Sequence, residues 1–71
     1  MAFIRELVHV NETPQNRTAV SADYCFNKSA FQIRTYKNGD TLRSEGSKQN
    51  IQLNREMVLG LINKLQDFVN Q

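Results

Sequence analysis

The side chains that could do covalent chemistry in this chain are a single histidine and a single cysteine. His9 and Cys25 fall on different predicted strands and could be neighbours across a sheet. A nucleophile also needs an oriented base and an oxyanion site, and no pattern in the sequence marks either. A buried structural cysteine and a partly exposed strand histidine explain both residues more simply, so we expect no enzymatic activity.

Metal and phosphate sites are not supported by the residue pattern either. A metal site needs three or four converging ligands, and the sequence contains no such cluster. Gly39, Gly46 and Gly60 do not form a phosphate-binding loop. The sequence therefore predicts no metal, no cofactor and no small-molecule substrate.

Basic side chains are concentrated in the middle of the chain, although the formal net charge is only +2. Between residues 28 and 55 the acidic residues are Asp40 and Glu45. The basic residues of the same stretch are Lys28, Arg34, Lys37, Arg43, Lys48 and Arg55. Such an excess of basic residues belongs either to a solvated strand face or to a surface that binds a polyanion. The pattern leaves both interpretations open.

Arg34 and Tyr36 are the residues that could form a surface for binding a polyanion. They are two residues apart on a predicted strand, so they point to the same side. Lys48 would join them if the strands pair in the register that the alternation of side chains suggests. Cations hold phosphates and flat rings stack bases, each stack contributing about 1–3 kcal/mol, so this face suits single-stranded nucleic acid.

A helix over residues 55–70 is the most regular element that the sequence predicts. Its apolar residues recur at spacings of three and four, which places them on one helical face. Asn54 is a suitable N-cap, and Glu56 suits the positive end of the helix dipole. The stripe either covers only this chain's own sheet or also meets a second copy, since chains this short bury a small core. The candidate dimer residues are Leu59, Leu65, Phe68 and Val69.

Four strands are predicted before this helix, at residues 3–10, 18–26, 30–37 and 47–53. Alternating apolar and polar residues, with many β-branched side chains, mark them. Asn38-Gly39 is a strong hairpin signal, and residues 11–17 form a loop that contains the only proline. The sequence thus predicts one α+β domain over residues 1–71, with a four-stranded antiparallel meander followed by a C-terminal amphipathic helix.

The cysteine count and the hydropathy pattern bear on cellular location. One cysteine cannot form an internal disulfide, which favours a reducing compartment. No charged-then-apolar leader follows Met1 and no long apolar run occurs, so we expect neither a signal peptide nor a membrane span. The expected location is the cytoplasm.

The run from Phe26 to Tyr36 resembles the central hairpin of the transcriptional coactivator positive cofactor 4 family. Members show an aromatic residue, a short lysine-bearing turn and an apolar-x-Ile-Arg-x-Tyr strand. The family continues with a glycine-containing turn, a basic residue, a Gly-Ile-x-Leu strand and an amphipathic helix. This chain follows the same order through Gly39, Lys48 and its last strand, although Asn50 stands where the family has glycine.

The resemblance implies a strongly curved antiparallel sheet and a homodimer joined through the helices and sheet edges. It also implies binding of single-stranded or melted DNA across the sheet, with little sequence preference. The chain would then be a short bacterial or phage relative of the family, acting in transcription or DNA metabolism.

The family's DNA-contacting residues carry over by position. Lys28 and Arg34 match basic contact residues, and Lys48 falls close to a basic position of the fourth strand. Phe26 matches a base-stacking aromatic, but strict alternation puts it on the inward side, so a bulge or bend would be needed to re-aim it. Lys37 stands where some members carry a base-stacking tryptophan. The candidate nucleic-acid-binding residues are Phe26, Lys28, Arg34, Tyr36, Lys37 and Lys48.

Two functions remain open on the sequence. The first is a dimeric, non-enzymatic single-stranded-DNA-binding protein, which the resemblance and the basic excess favour. The second is a small protein-interaction or inhibitor module that captures a protein partner through a sheet edge or the exposed side of the helix. The acidic interruptions and the modest net charge favour the second.

Overall fold

The computed structural model describes residues 2–37 and 46–71 of the chain. The elements within them are β1 (Ala2–Ile4), β2 (Ser21–Phe26), β3 (Ala30–Tyr36), β4 (Gln49–Asn54) and α1 (Arg55–Val69). The strands form one four-stranded sheet in the order β1-β4-β3-β2. The prediction of an α+β fold with a C-terminal helix is confirmed. The predicted hairpin turn at Asn38-Gly39 lies outside the described residues.

The sheet is mixed, so the prediction of an antiparallel meander is wrong. β3 pairs antiparallel with both β2 and β4, but β1 runs parallel to β4. A meander would have placed β1 beside β2, whereas the two occupy opposite edges. Residues 5–20 could reach about 50 Å if extended, against about 14 Å across four strands. The connection is therefore long enough to carry the chain from one edge to the other.

β1 is shorter than the strand predicted over residues 3–10. Ile4, its last residue, lies opposite Leu53 in the β1–β4 register. β4 ends one residue later at Asn54, where the chain turns into α1. A longer β1 would have no neighbouring backbone to pair with, so the strand prediction fails beyond Ile4.

The turn between β2 and β3 is organised by Asn27. Its Oδ1 accepts hydrogen bonds from the backbone N–H groups of Ser29 (2.8 Å) and Ala30 (2.9 Å). Its own N–H donates to the carbonyl of Ala30 at 3.0 Å. An asparagine that bonds to the backbone just ahead of it favours a turn over a continued strand. The resulting register pairs Phe26 with Phe31.

The strand register divides the sheet into two faces, because paired residues share a face and successive residues alternate. We call one the apolar face; it carries Ile4, Tyr24, Phe26, Phe31, Ile33, Ile51 and Leu53. We call the other the polar face; it carries Phe3, Asp23, Cys25, Gln32, Arg34, Tyr36, Asn50 and Gln52.

Helix α1 packs on the apolar face. Asn54 is its N-cap, as predicted, and its Oδ1 accepts a hydrogen bond from the N–H of Met57 at 2.9 Å. Val58, one turn into the helix, lines a cavity of about 340 Å³ together with Phe31 and Leu53. The start of α1 therefore lies over the apolar face, and the polar face looks away from the helix.

The core of a single copy is small. Leu53 is 2% exposed and Tyr36 is 5% exposed, and among the described residues these are the buried hydrophobic side chains. No residue of α1 is buried. Several apolar side chains of the helix remain exposed, and we call them the exposed stripe of α1: Leu59, Ile62, Leu65, Phe68 and Val69. Within the described residues, no helix combines the length and the apolar character that crossing a bilayer requires.

Candidate nucleic-acid interface

Two rows of side chains cross the polar face. The first row takes one residue from each strand and runs Phe3, Gln52, Gln32, Cys25. The second row crosses three strands and runs Asn50, Arg34, Asp23. Neighbouring rows are about 7 Å apart along the strands, and neighbours within a row are about 5 Å apart. Long side chains can therefore interact both within a row and between rows.

Arg34 is held by a carboxylate in the second row. Its Nε donates to Asp23 Oδ1 at 2.8 Å and its Nη2 donates to Asp23 Oδ2 at 3.1 Å. This forked geometry is the strong form of an arginine–carboxylate pair. The pKa of Arg34 is raised above its ordinary value, chiefly by the hydrogen bond to Asp23 and next by the negative charge of Asp23. The cation predicted from the sequence is present on this face, and Asp23 takes two of its five N–H donors.

Amide side chains form the centre of the face. Gln52 Nε2 donates to Gln32 Oε1 at 2.7 Å across the β3–β4 pair. Asn50 Nδ2 donates to Ser47 Oγ at 3.1 Å, and Asn50 Oδ1 is buried without a hydrogen-bond partner among the described residues. A primary amide has two donor hydrogens and an acceptor oxygen with two lone pairs. The Gln32 and Gln52 amides therefore keep hydrogen-bonding capacity for a ligand such as a nucleobase.

The two aromatic residues predicted to stack bases do not present rings on this face. Tyr36 lies on the polar face beside Arg34, but its 5% exposure leaves little ring surface for a base. Phe26 is 72% exposed but lies on the apolar face, because β2 pairs regularly up to Phe26 and no bulge re-aims it. Its ring stacks on Phe31, with centroids 6.1 Å apart and planes 10° apart.

The three predicted lysines lie outside the strands. Lys28 is in the β2–β3 turn, and its carbonyl accepts a hydrogen bond from Arg55 Nε at 3.0 Å. Lys37 follows β3 and Lys48 precedes β4, and both are exposed. The Lys48 N–H donates to the carbonyl of Thr35 at 2.7 Å, which places both lysines at the other end of β3 from Lys28. The structure thus groups Arg34 and Tyr36 and separates Lys28 and Phe26 from them. It places Lys37 and Lys48 at one end of the paired strands β3 and β4.

Two features of the polar face were missed in the sequence. The Asp23–Arg34 pairing follows from the register that the Asn27 turn sets, so the sequence did carry a signal for it. Phe3 is 49% exposed on this face because β1 pairs with Gln52 of β4. No local pattern reveals that pairing, since it joins residues that lie far apart in the sequence.

The single cysteine and the candidate dimer residues of the helix are all exposed. Cys25 is exposed on the polar face, so the interpretation as a buried structural cysteine is wrong. Among the described residues no group of three or more side chains could hold a metal ion. The candidate dimer residues Leu59, Leu65, Phe68 and Val69 are all exposed.

Comparison with known proteins adds no function to this geometry. No protein-family model, no curated protein and no solved structure matches the chain. The two sheet faces and the side chains that they carry are therefore the features that bear on function.

Proposed function

We propose that the chain binds single-stranded DNA across the polar face of its sheet and catalyses no reaction. One observation carries the proposal: an arginine and a hydrogen-bonded amide pair lie together on the sheet face away from the helix. Cations for phosphates and polar groups for bases on one sheet face are what a single strand requires. The resemblance of residues 26–68 to the positive cofactor 4 family supports DNA as the ligand.

The affinity should be modest because the cations are few and partly engaged. Asp23 accepts two hydrogen bonds from Arg34, and a phosphate would have to compete with that carboxylate. Lys37 and Lys48 lie at one end of the β3–β4 pair and add charge there. We expect a dissociation constant of about 1–100 µM at physiological salt, the range of sequence-independent binding.

The exposed stripe on α1 supports a homodimer. Burying a large apolar side chain contributes about 1.5–3 kcal/mol, and Leu65, Phe68 and Val69 are at least half exposed in one copy. Pairing this stripe with a second copy would supply the core that one chain lacks. Light scattering should report twice the 8.2 kDa chain mass. A mass of 8.2 kDa at micromolar concentration would contradict the dimer.

A fluorescence-anisotropy titration tests the DNA proposal. A labelled, unstructured oligonucleotide is titrated with the protein at about 20 and 200 mM salt. Binding should weaken with salt. We call the slope of the logarithm of the binding constant against the logarithm of the salt concentration the salt slope, and each phosphate contact makes it more negative by about 0.7 for a single strand. Absence of binding at tens of micromolar protein in the lower salt would refute the proposal, since the phosphate contribution is largest there.

A matched pair of lysine variants locates the bound strand. Lys48→Ala removes a cation next to the polar face, whereas Lys64→Ala removes an exposed cation from α1. The first should flatten the salt slope by about 0.7 and the second should leave it unchanged. Equal effects of the two variants would show that net charge, rather than the polar face, drives binding.

A protein-interaction module is the second candidate. β2 is an edge strand with Tyr24 exposed on its apolar side, and edge strands accept a partner's strand by backbone pairing. This function predicts a chain that does not bind oligonucleotides even at low salt. The anisotropy measurement therefore distinguishes the two candidates.

A further inference from the structure

Among the described residues the polar face carries one exposed aromatic ring, and it belongs to neither of the residues that the sequence suggested. Phe3 is 49% exposed and lies beside Gln52 in the β1–β4 register. Tyr36 is buried, and Phe26 lies on the apolar face. Phe3 is therefore the described ring that a strand crossing the polar face would meet.

The residues next to Phe3 are suited to a base as well. Gln52 is its direct cross-strand neighbour, and Gln32 follows in the same row. The bond from Gln52 Nε2 to Gln32 Oε1 (2.7 Å) orients both amides across the face. A base stacked on the ring would find amide donors and acceptors at its edge, the groups with which glutamine contacts bases.

The phosphate-binding cation lies at a suitable distance from the ring. Arg34 is two strands away from Phe3 and one row further along the sheet. Strand spacing places the two backbones about 10 Å apart across the sheet and about 7 Å apart along it. The long arginine side chain can shorten this separation, so one short segment of a single strand could contact both residues.

We propose that Phe3 is the base-stacking residue of the polar face and that the Gln32–Gln52 amide pair contacts the edge of the stacked base. This inference rests on the proposed function and adds to it a residue that the family resemblance does not supply. An isolated exposed phenylalanine is common on protein surfaces. The combination with an oriented amide pair and an arginine on the same face favours a binding role.

Tryptophan substitution tests the inference directly, because the chain contains no tryptophan. Phe3→Trp keeps a ring on the polar face and makes it the only indole in the protein. Titration with an unlabelled thymine oligonucleotide should quench its emission along the same isotherm that anisotropy reports. Phe26→Trp, the matched control on the apolar face, should bind the oligonucleotide without that quenching.

A second variant measures how much the ring contributes. Phe3→Leu keeps an apolar side chain in β1 and removes the aromatic plane. It should weaken binding by about 5- to 150-fold, the effect of losing one base stack, while the salt slope stays unchanged because no charge is altered. Phe3→Trp should bind as well as the wild type, which separates loss of the ring from damage to β1.

The outcomes separate this inference from the proposed function. If the wild type and Phe3→Trp bind but the indole is not quenched, or if Phe3→Leu binds as well as the wild type, the assignment of Phe3 is overturned and DNA binding stands. If the wild type does not bind at low salt, the proposed function is refuted and the inference with it.

Discussion

Replacing Asp23 with asparagine should strengthen DNA binding. The carboxylate accepts hydrogen bonds from Arg34 Nε (2.8 Å) and Nη2 (3.1 Å), so it competes with phosphate for the same donors. Asparagine has nearly the same shape but no charge. Arg34 stays protonated in both proteins, because its pKa is raised above the ordinary value by Asp23 and an unpaired guanidinium is also charged at neutral pH.

The size of the gain in affinity follows from freeing the Arg34 guanidinium to contact one phosphate. One additional phosphate contact steepens the logarithmic salt slope by about 0.7 for a single strand. We set the contribution of this extra contact to zero at 1 M salt. The steeper slope then makes binding about eightfold tighter at 50 mM salt and about threefold tighter at 200 mM. The increase in affinity should therefore shrink as salt is added, which a gain from new apolar contact would not do.

Anisotropy titrations at four salt concentrations measure both the affinity and the slope. Asp67→Asn is the matched control, because it makes the same chemical change at an exposed position of α1. It should leave the slope unchanged. The reasoning is refuted if Asp23→Asn binds more weakly than the wild type, or if Asp67→Asn tightens binding equally.

Three further predictions concern stability and assembly. Leu53→Ala empties the most buried side-chain position of the sheet and should cost about 2–5 kcal/mol in the free energy of unfolding, measured by urea denaturation. Asn54→Ala removes the acceptor for the Met57 N–H and should cost about 1 kcal/mol in the same assay. Leu65→Asp puts a charge on the exposed stripe of α1 and should halve the mass found by light scattering.

Each of these predictions has a result that contradicts it. Val20→Ala, at an exposed position, is the control for Leu53 and should cost less than about 0.5 kcal/mol; equal losses at the two positions would mean that Leu53 is not central to the core. An unchanged unfolding midpoint in Asn54→Ala would show that the cap contributes nothing. A dimer that survives Leu65→Asp would place the interface elsewhere.

The helix and the central hairpin were predictable because their signals are local. Asn54 caps α1 through a bond to a residue three positions on, and the helix over Arg55–Val69 follows the apolar spacing. The β2–β3 turn likewise depends on one asparagine, Asn27, and its next three residues. Short-range chemistry of this kind can be read without knowing the rest of the fold.

The position of β1 could not be predicted in the same way. A strand of three residues, Ala2–Ile4, shows the same alternation whether its neighbour is β2 or β4. The choice depends on which edge the long connection reaches, and no side chain in β1 encodes that. The meander was therefore the simplest topology but not the one adopted.

Part of the candidate site was predictable because it depends on local signals. Arg34 and Tyr36 share a face because of their spacing, and Asp23 lies opposite Arg34 because of the turn. Alternation assigns a face but not an exposure, so the burial of Tyr36 could not be foreseen. The place of Phe3 depends on the β1–β4 pairing and was unpredictable along with it.

Nuclear magnetic resonance mapping of the DNA-bound surface tests the central claim most directly. Isotope-labelled protein is titrated with an unlabelled single-stranded oligonucleotide, and backbone and side-chain amide shifts are followed. We expect the largest shifts at Phe3, Arg34 and the side-chain amides of Gln32 and Gln52, with the exposed stripe of α1 unchanged. Shifts confined to α1 and the apolar face, with the polar face silent, would contradict the account.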